Sequence, residues 1–173
     1  MTPAPVQPFY EAAKKYLQRS VGVELDDSEE SLAYVDHYVK TTARAEAIKP
    51  AVLALVAPAL GAYFGQVAIK RFGGKWLLEG DDPAGWRVEL EPAPLTFHPI
   101  GMAAEALRGA EVEGYEASFS ARADLMGPLL EALETSPPVD EDYYYSLTGR
   151  FETLTHALDV LVEIERRKRD KAN

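Results

Sequence analysis

Three carboxylates followed directly by three phenols, Asp140-Glu141-Asp142-Tyr143-Tyr144-Tyr145, form the most unusual local run in this chain. Acids favour the first turn of a helix because they offset the partial positive charge there. Each tyrosine adds a large apolar ring with a polar tip. Consecutive helical side chains lie about 100° apart, so three adjacent rings cannot all face a core. At least one ring is therefore expected on the surface among negative charges, a combination suited to a basic protein partner. The expected partner-binding patch is Asp140, Glu141, Asp142, Tyr143, Tyr144 and Tyr145, with the acidic stretch 26–30 (DDSEE) adding to the same surface.

A second kind of chemistry is suggested by aromatic residues with a few polar neighbours. Tyr63, Trp76 and Trp86, with Gln66 and His98, are expected to line a small-molecule pocket between a central helix and a sheet, since such pockets combine apolar walls with few polar groups. His98 precedes Pro99 at the end of a strand pattern, where a side chain can project into a cleft. Other constellations are weaker. His37, His98 and His156 are scattered, and no two share a helical face. Glu152, His156, Asp159 and Glu163 fall on one helical stripe, which a solvated polar face explains. Gly73-Gly74-Lys75 is followed by Trp76 and a strand pattern, whereas a phosphate loop needs Ser or Thr and a helix there. Ser118, Ser120 and Ser146 lack the strand-to-helix elbow of a serine nucleophile. No catalytic residue, metal ligand or cofactor is assigned.

Composition narrows the classes further. The 173 residues contain no cysteine, which excludes disulfides, thiolate nucleophiles and cysteine-ligated metal sites. The net charge of −10 repels phosphate backbones and attracts basic surfaces, so nucleic acid is not expected as a partner. The end of the chain, ERRKRDKAN, reverses the sign with five basic and two acidic residues, a charge of +3 that leaves −13 on the remainder. The amino-terminal MTPAPVQPFY lacks the charge and apolar run of a secretory signal, and a bacterial-type cytoplasm is the expected location. Nineteen uncharged residues, Ala51 to Ile69, are long enough to span a bilayer, but Pro58, Gln66, two glycines and six alanines make them weakly apolar. A buried helix of a soluble protein is expected, and no membrane contact.

The elements that must carry these residues follow from periodicity. Phe9, Ala13, Tyr16 and Leu17 share one face of a short helix over Pro8 to Leu17. A second helix is expected to start at a capping box of Asp27 and Glu30, burying Leu32, Val35 and Val39 beside Tyr38. The third, from Ile48, carries Val52, Leu55, Val56, Ala59, Leu60, Tyr63 and Val67, with a kink or break expected at Pro58 and a stop at Gly73-Gly74. Alternation then marks three strands around Trp76 and Leu78, around Trp86, Val88 and Leu90, and around Leu95 and Phe97. Helices follow at Met102 to Arg108, at Leu125 to Leu133, and from Asp140 to about Arg169. Residues 111–122 fit either a fourth strand or an ordered loop. The fold class is α+β, with about six helices around a small antiparallel sheet of three strands, or four if 111–122 pairs. One domain over 1–173 is expected, with flexible termini at about 1–7 and 166–173.

The central segment GAYFGQVAIKRFGGKW resembles a family of uncharacterised bacterial domains. That family carries a glycine-rich GAYxGE helix, a basic stretch, a Gly-Gly pair and a tryptophan opening a small sheet. The matching residues are Gly61, Ala62, Tyr63, Gly65, Gly73, Gly74 and Trp76, within 61–76. Gln66 stands where the pattern has glutamate and cannot act as a carboxylate base. The resemblance implies helix-then-sheet architecture and no activity. Glycines four apart on a helix clear one face for close approach of another backbone. The expected function is a non-enzymatic cytoplasmic interaction domain, an immunity or regulatory protein binding a basic partner. A small-molecule-binding protein or enzyme using the helix–sheet pocket is the alternative.

Overall fold

The computed structural model describes residues 2–173. The described residues form seven helices and one four-stranded antiparallel sheet, an α+β fold. Helix α1 (Gln7–Ser20) buries Tyr10, Ala13 and Leu17, and fully buried Val6 precedes it. Ser28, rather than Asp27, caps the next element by accepting the Ser31 N–H. Asp27 instead adopts a left-handed φ of 64° and turns its carboxylate to the Tyr10 hydroxyl. Asn and Asp tolerate that conformation better than most residues.

Helix α2 (Leu32–Tyr38) runs into a π turn, Val39–Ala43, and a final α-helical turn, Arg44–Glu46. The π turn leaves no periodic signature in a sequence, because it shifts the buried face by one residue.

Helix α3 (Pro50–Phe72) is the centre of the molecule. By length and composition it could cross a bilayer, yet 72% of its most apolar stretch is buried by the rest of the chain. Every residue from Val56 to Gly65 is buried. Of the kink or break expected at Pro58, the break does not occur and the helix continues through it. The carbonyl that Pro58 cannot serve belongs to Ala54, an exposed residue, so water can satisfy it while packing holds the remainder. A β-carbon on Gly61 would lie 2.5 Å from the Ile100 Cα, and one on Gly65 would lie 2.5 Å from the Trp76 ring. These two glycines thus admit helix α4 (Pro99–Arg108) and the sheet against the same helix. Gly73, with φ of 84°, ends the helix as expected.

Strands β1 (Gly74–Leu77), β2 (Arg87–Leu90), β3 (Leu95–Phe97) and β4 (Phe119–Ala121) form a meander in chain order. Register aligns Trp76, Val88, Phe97 and Phe119 in one row across it. Phe97 meets Phe64 of α3 edge to face at 5.7 Å, fastening sheet to helix. The ambiguous stretch divides: 119–121 pair as a strand and 111–118 do not.

Helix α5 (Ala123–Glu134) follows. The single last helix expected from Asp140 is two helices, α6 (Glu141–Tyr145) and α7 (Leu147–Ala172), and this brings the helix count from about six to seven. The break is Ser146, extended at φ −67° and ψ 153°, whose Oγ accepts the Gly149 N–H. Asp36 of α2 reinforces it by accepting the Leu147 and Thr148 N–H groups and the Thr148 hydroxyl. Two caps satisfy the amides that a continuous helix would have bonded internally.

Candidate functional site

The acid-and-tyrosine run is organised by Arg150, in the first turns of α7. This residue is 7% exposed, and its guanidinium pairs with Glu105 of α4 at 2.6 Å. It also donates to the carbonyls of Tyr144 at 3.2 Å and Ala117 at 3.3 Å. The Tyr144 ring lies 4.8 Å from the guanidinium and the Tyr145 ring 5.6 Å, while the two rings meet edge to face at 4.9 Å. A planar cation thus orders two of the three rings, through its charge on their faces and its donors on the backbone.

The acids divide by role. Asp140 caps α6 by accepting the Tyr143 N–H at 2.8 Å, while Glu141 and Asp142 are exposed. The Tyr143 hydroxyl donates to Glu152 of α7. That bond, with burial, pushes the Tyr143 phenol up to about 12. Burial, and then the carboxylates of Glu105 and Glu111, also raise the Tyr145 phenol. Tyr144 remains 50% exposed.

Beneath these rings lies a cleft of about 740 Å³ between α5, α6 and α7. Its apolar lining includes Met102, Phe119, Leu133 and Leu154, and its polar margin is Glu141, Glu152 and His156. Val139, 54% exposed, also lines it and carries its apolar surface out towards solvent. On the far side of Tyr144 and Arg150, which line both, is a cleft of about 620 Å³ bordered by Glu111, Glu113 and Glu116. A third, of about 740 Å³, opens where the π turn faces α6, with Lys40, Arg44 and Arg108 opposite Asp140, Glu141 and Asp142. Arg44 approaches Asp142 only to 3.9 Å there.

The five expected pocket residues are placed otherwise, and none lines these three clefts. Tyr63 is fully buried; its hydroxyl accepts the Asp27 N–H at 2.9 Å and lies 2.6 Å from the Ser31 Oγ. Trp76 and Gln66 are brought together, with the indole N–H donating to the amide oxygen at 2.6 Å. Trp86 donates to the Gly80 carbonyl at 3.1 Å and packs on Phe9. The His98 Nδ1 is 3.2 Å from the Ser118 carbonyl.

The other sequence candidates are also accounted for. His37 is exposed. Glu163 binds Arg166 at 2.6 Å and Arg167 at 3.0 Å, leaving Glu152 and His156 at the cleft. The stretch 26–30 is tied to the end of α3, with Lys70 on the Asp26 carbonyl at 3.1 Å and Arg71 4.0 Å from Glu29. It borders none of the three clefts. Among the described residues, no group of three or more His, Asp or Glu is arranged to hold a metal ion.

Sequence reasoning missed Arg150 and Glu105. The available signal was a lone charge inside each apolar helical stripe, Glu105 within IGMAAEAL and Arg150 beside Phe151. Two such charges of opposite sign are candidates for a buried pair.

Comparison with family models, with curated proteins and with solved structures finds no match to this chain.

Proposed function

We propose that this protein is a non-enzymatic, cytoplasmic interaction domain, of the immunity or regulatory kind, that holds a basic partner protein in the groove walled by Tyr143, Tyr144 and Tyr145. One observation carries this reading. The exposed Tyr144 ring and the exposed Val139 side chain carry the apolar lining of a 740 Å³ cleft outward onto the surface, beside the carboxylates of Glu141 and Glu152. Apolar area that extends past a cleft marks a surface contact more than an enclosed ligand. Tyrosine and arginine at its centre, with charge at its edge, match the anatomy of protein interfaces.

The net charge of −10 supports a basic partner, attracted over long range and screened by salt. A small-molecule site between α3 and the sheet has less support, because Trp76 and Gln66 satisfy each other and Tyr63 is closed off by Ser31 and Asp27.

The test is a photo-crosslinking amino acid placed at position 144 in the full chain, expressed in its own cells, with one at exposed Lys75 as control. The expected result is one protein crosslinked from 144 and not from 75. Its purified form should bind the domain more weakly as salt rises, and lose about tenfold in affinity when Glu141 and Asp142 are changed to lysine. Equal crosslinking from both positions, or a purified partner indifferent to those changes, would overturn the reading.

A further inference from the structure

We propose that the groove reads a two-part segment of its partner: an apolar side chain seated over Met102, Phe119 and Leu133, followed across Tyr144 by lysine or arginine facing Glu111, Glu113 and Glu116. The inference rests on the interaction reading above and adds what the partner must present and in what arrangement.

The two clefts share a single partition, since Tyr144 and Arg150 line both. The Tyr144 side of that partition is half exposed, so an extended chain can pass over it. Their chemistry differs on the two sides. The α5–α7 side is apolar, and the side formed by 111–118 carries three glutamates within six residues.

Charge decides which ligand the second side favours. Among the described residues, Glu111, Glu113 and Glu116 take part in no ion pair, whereas the cation between the clefts, Arg150, is already matched by Glu105 at 2.6 Å. A cation arriving beside Tyr144 therefore meets uncompensated negative charge and no net repulsion from Arg150. The ring face adds to the attraction. A purely apolar segment would leave the glutamates unused, and a purely basic one would leave the apolar cleft empty.

The experiment selects random dodecapeptides displayed on phage against the full-length protein. Enriched peptides are then measured by fluorescence anisotropy against the wild type, the Glu111→Gln/Glu113→Gln/Glu116→Gln variant and Val139→Asn. All four positions are exposed, so folding should be retained, and circular dichroism verifies it. The expected consensus joins an apolar residue to at least one Lys or Arg a few positions away. The triple variant should then bind the peptide about tenfold more weakly with a flattened salt dependence, and Val139→Asn should weaken it about threefold without changing that dependence. An apolar consensus without basic residues, or full affinity in the triple variant, would overturn the two-part arrangement while leaving the groove as an interaction site. A basic consensus without an apolar residue would overturn the arrangement as well. No enrichment at all would overturn the two-part arrangement, the crosslinking from position 144 deciding the interaction reading separately.

Discussion

At the contact of α1 and α3, Tyr10 and Tyr63 stack 6.0 Å apart and both hydroxyls are consumed. Tyr10 donates to Asp27, while Tyr63 accepts the Asp27 N–H and hydrogen-bonds Ser31. At the α6 corner, Tyr144 and Tyr145 also sit among acids, but their rings are ordered by Arg150 and one of them is half in water. The same two residue types thus serve opposite ends. In the first region each polar group has a partner inside the protein, and the pairing fixes the strained backbone of Asp27. In the second, the partner groups beneath are satisfied while the surface above is left over. Tyrosine beside carboxylate is therefore not itself a signature of a site; the signature is a ring whose support is complete and whose outer face is unused.

The largest effect should come from removing the support beneath the second region. Arg150→Met would leave Glu105 buried without its cation, and breaking one member of such a pair costs about 3–5 kcal/mol. Urea unfolding would register the loss. Pairing the change with Glu105→Met should recover most of it, because two apolar side chains replace two desolvated charges. A single variant as stable as the wild type would mean that Arg150 does not hold this corner.

In the first region Tyr63→Phe should cost about 1–3 kcal/mol, the range for stranding a buried polar partner, here the Asp27 N–H, while Ser31 keeps its bond to the Ser28 carbonyl. The same hydroxyl gives an alkaline readout. Burial pushes the Tyr63 phenol up to about 12, and burial with Asp27 raises Tyr10 as well, against about 10 in an unfolded chain. A raised folded pKa means that the contribution is intact below about pH 10 and is lost as pH climbs towards 12. The unfolding midpoint should fall over that window, and less steeply in Tyr63→Phe. A wild-type midpoint that stayed flat there would contradict the closed network.

These contrasts also show what a sequence can disclose. Helix α3, its stop at Gly73 and the first three strands follow from local period and punctuation, and all are present. Ser146 did not disclose the break between α6 and α7, because half of its capping comes from Asp36, 111 residues before Leu147. Arg150 and Glu105 are 45 residues apart, so neither predicts the other. The run 140–145 was legible as unusual, but the cleft under it was not. Met102, Phe119 and Leu133 belong to three different elements, and only the fold collects them.

The capping contact offers a smaller test. Asp36→Ala removes acceptors from two backbone amides and one hydroxyl at the start of α7, and lost caps cost about 0.5–2 kcal/mol. Because three donors at one helix start lose their acceptor, a loss towards the upper end is expected even though Ser146 still caps Gly149. Amide hydrogen exchange should show faster opening at Leu147 and Thr148 with little change at the Tyr10–Tyr63 contact, which would place the two regions in separate units of local stability.

The smallest effect on stability should belong to the residue with the largest proposed role. Tyr144→Ser removes a half-exposed ring and its contact with Arg150, worth about 0.5–1 kcal/mol at such a site. The carbonyl that binds Arg150 belongs to the backbone and survives the substitution, and the Glu105 pair is untouched. Stability and binding should therefore separate: an unfolding midpoint close to wild type, with partner affinity down about tenfold or more, as for a central aromatic anchor. Tyr63→Phe should show the reverse, a clear loss of stability with affinity retained wherever the protein is folded. If Tyr144→Ser instead lost stability as Tyr63→Phe does and bound normally, the α6 corner would be a second structural knot, and the distinction between a closed and an open tyrosine cluster would fail.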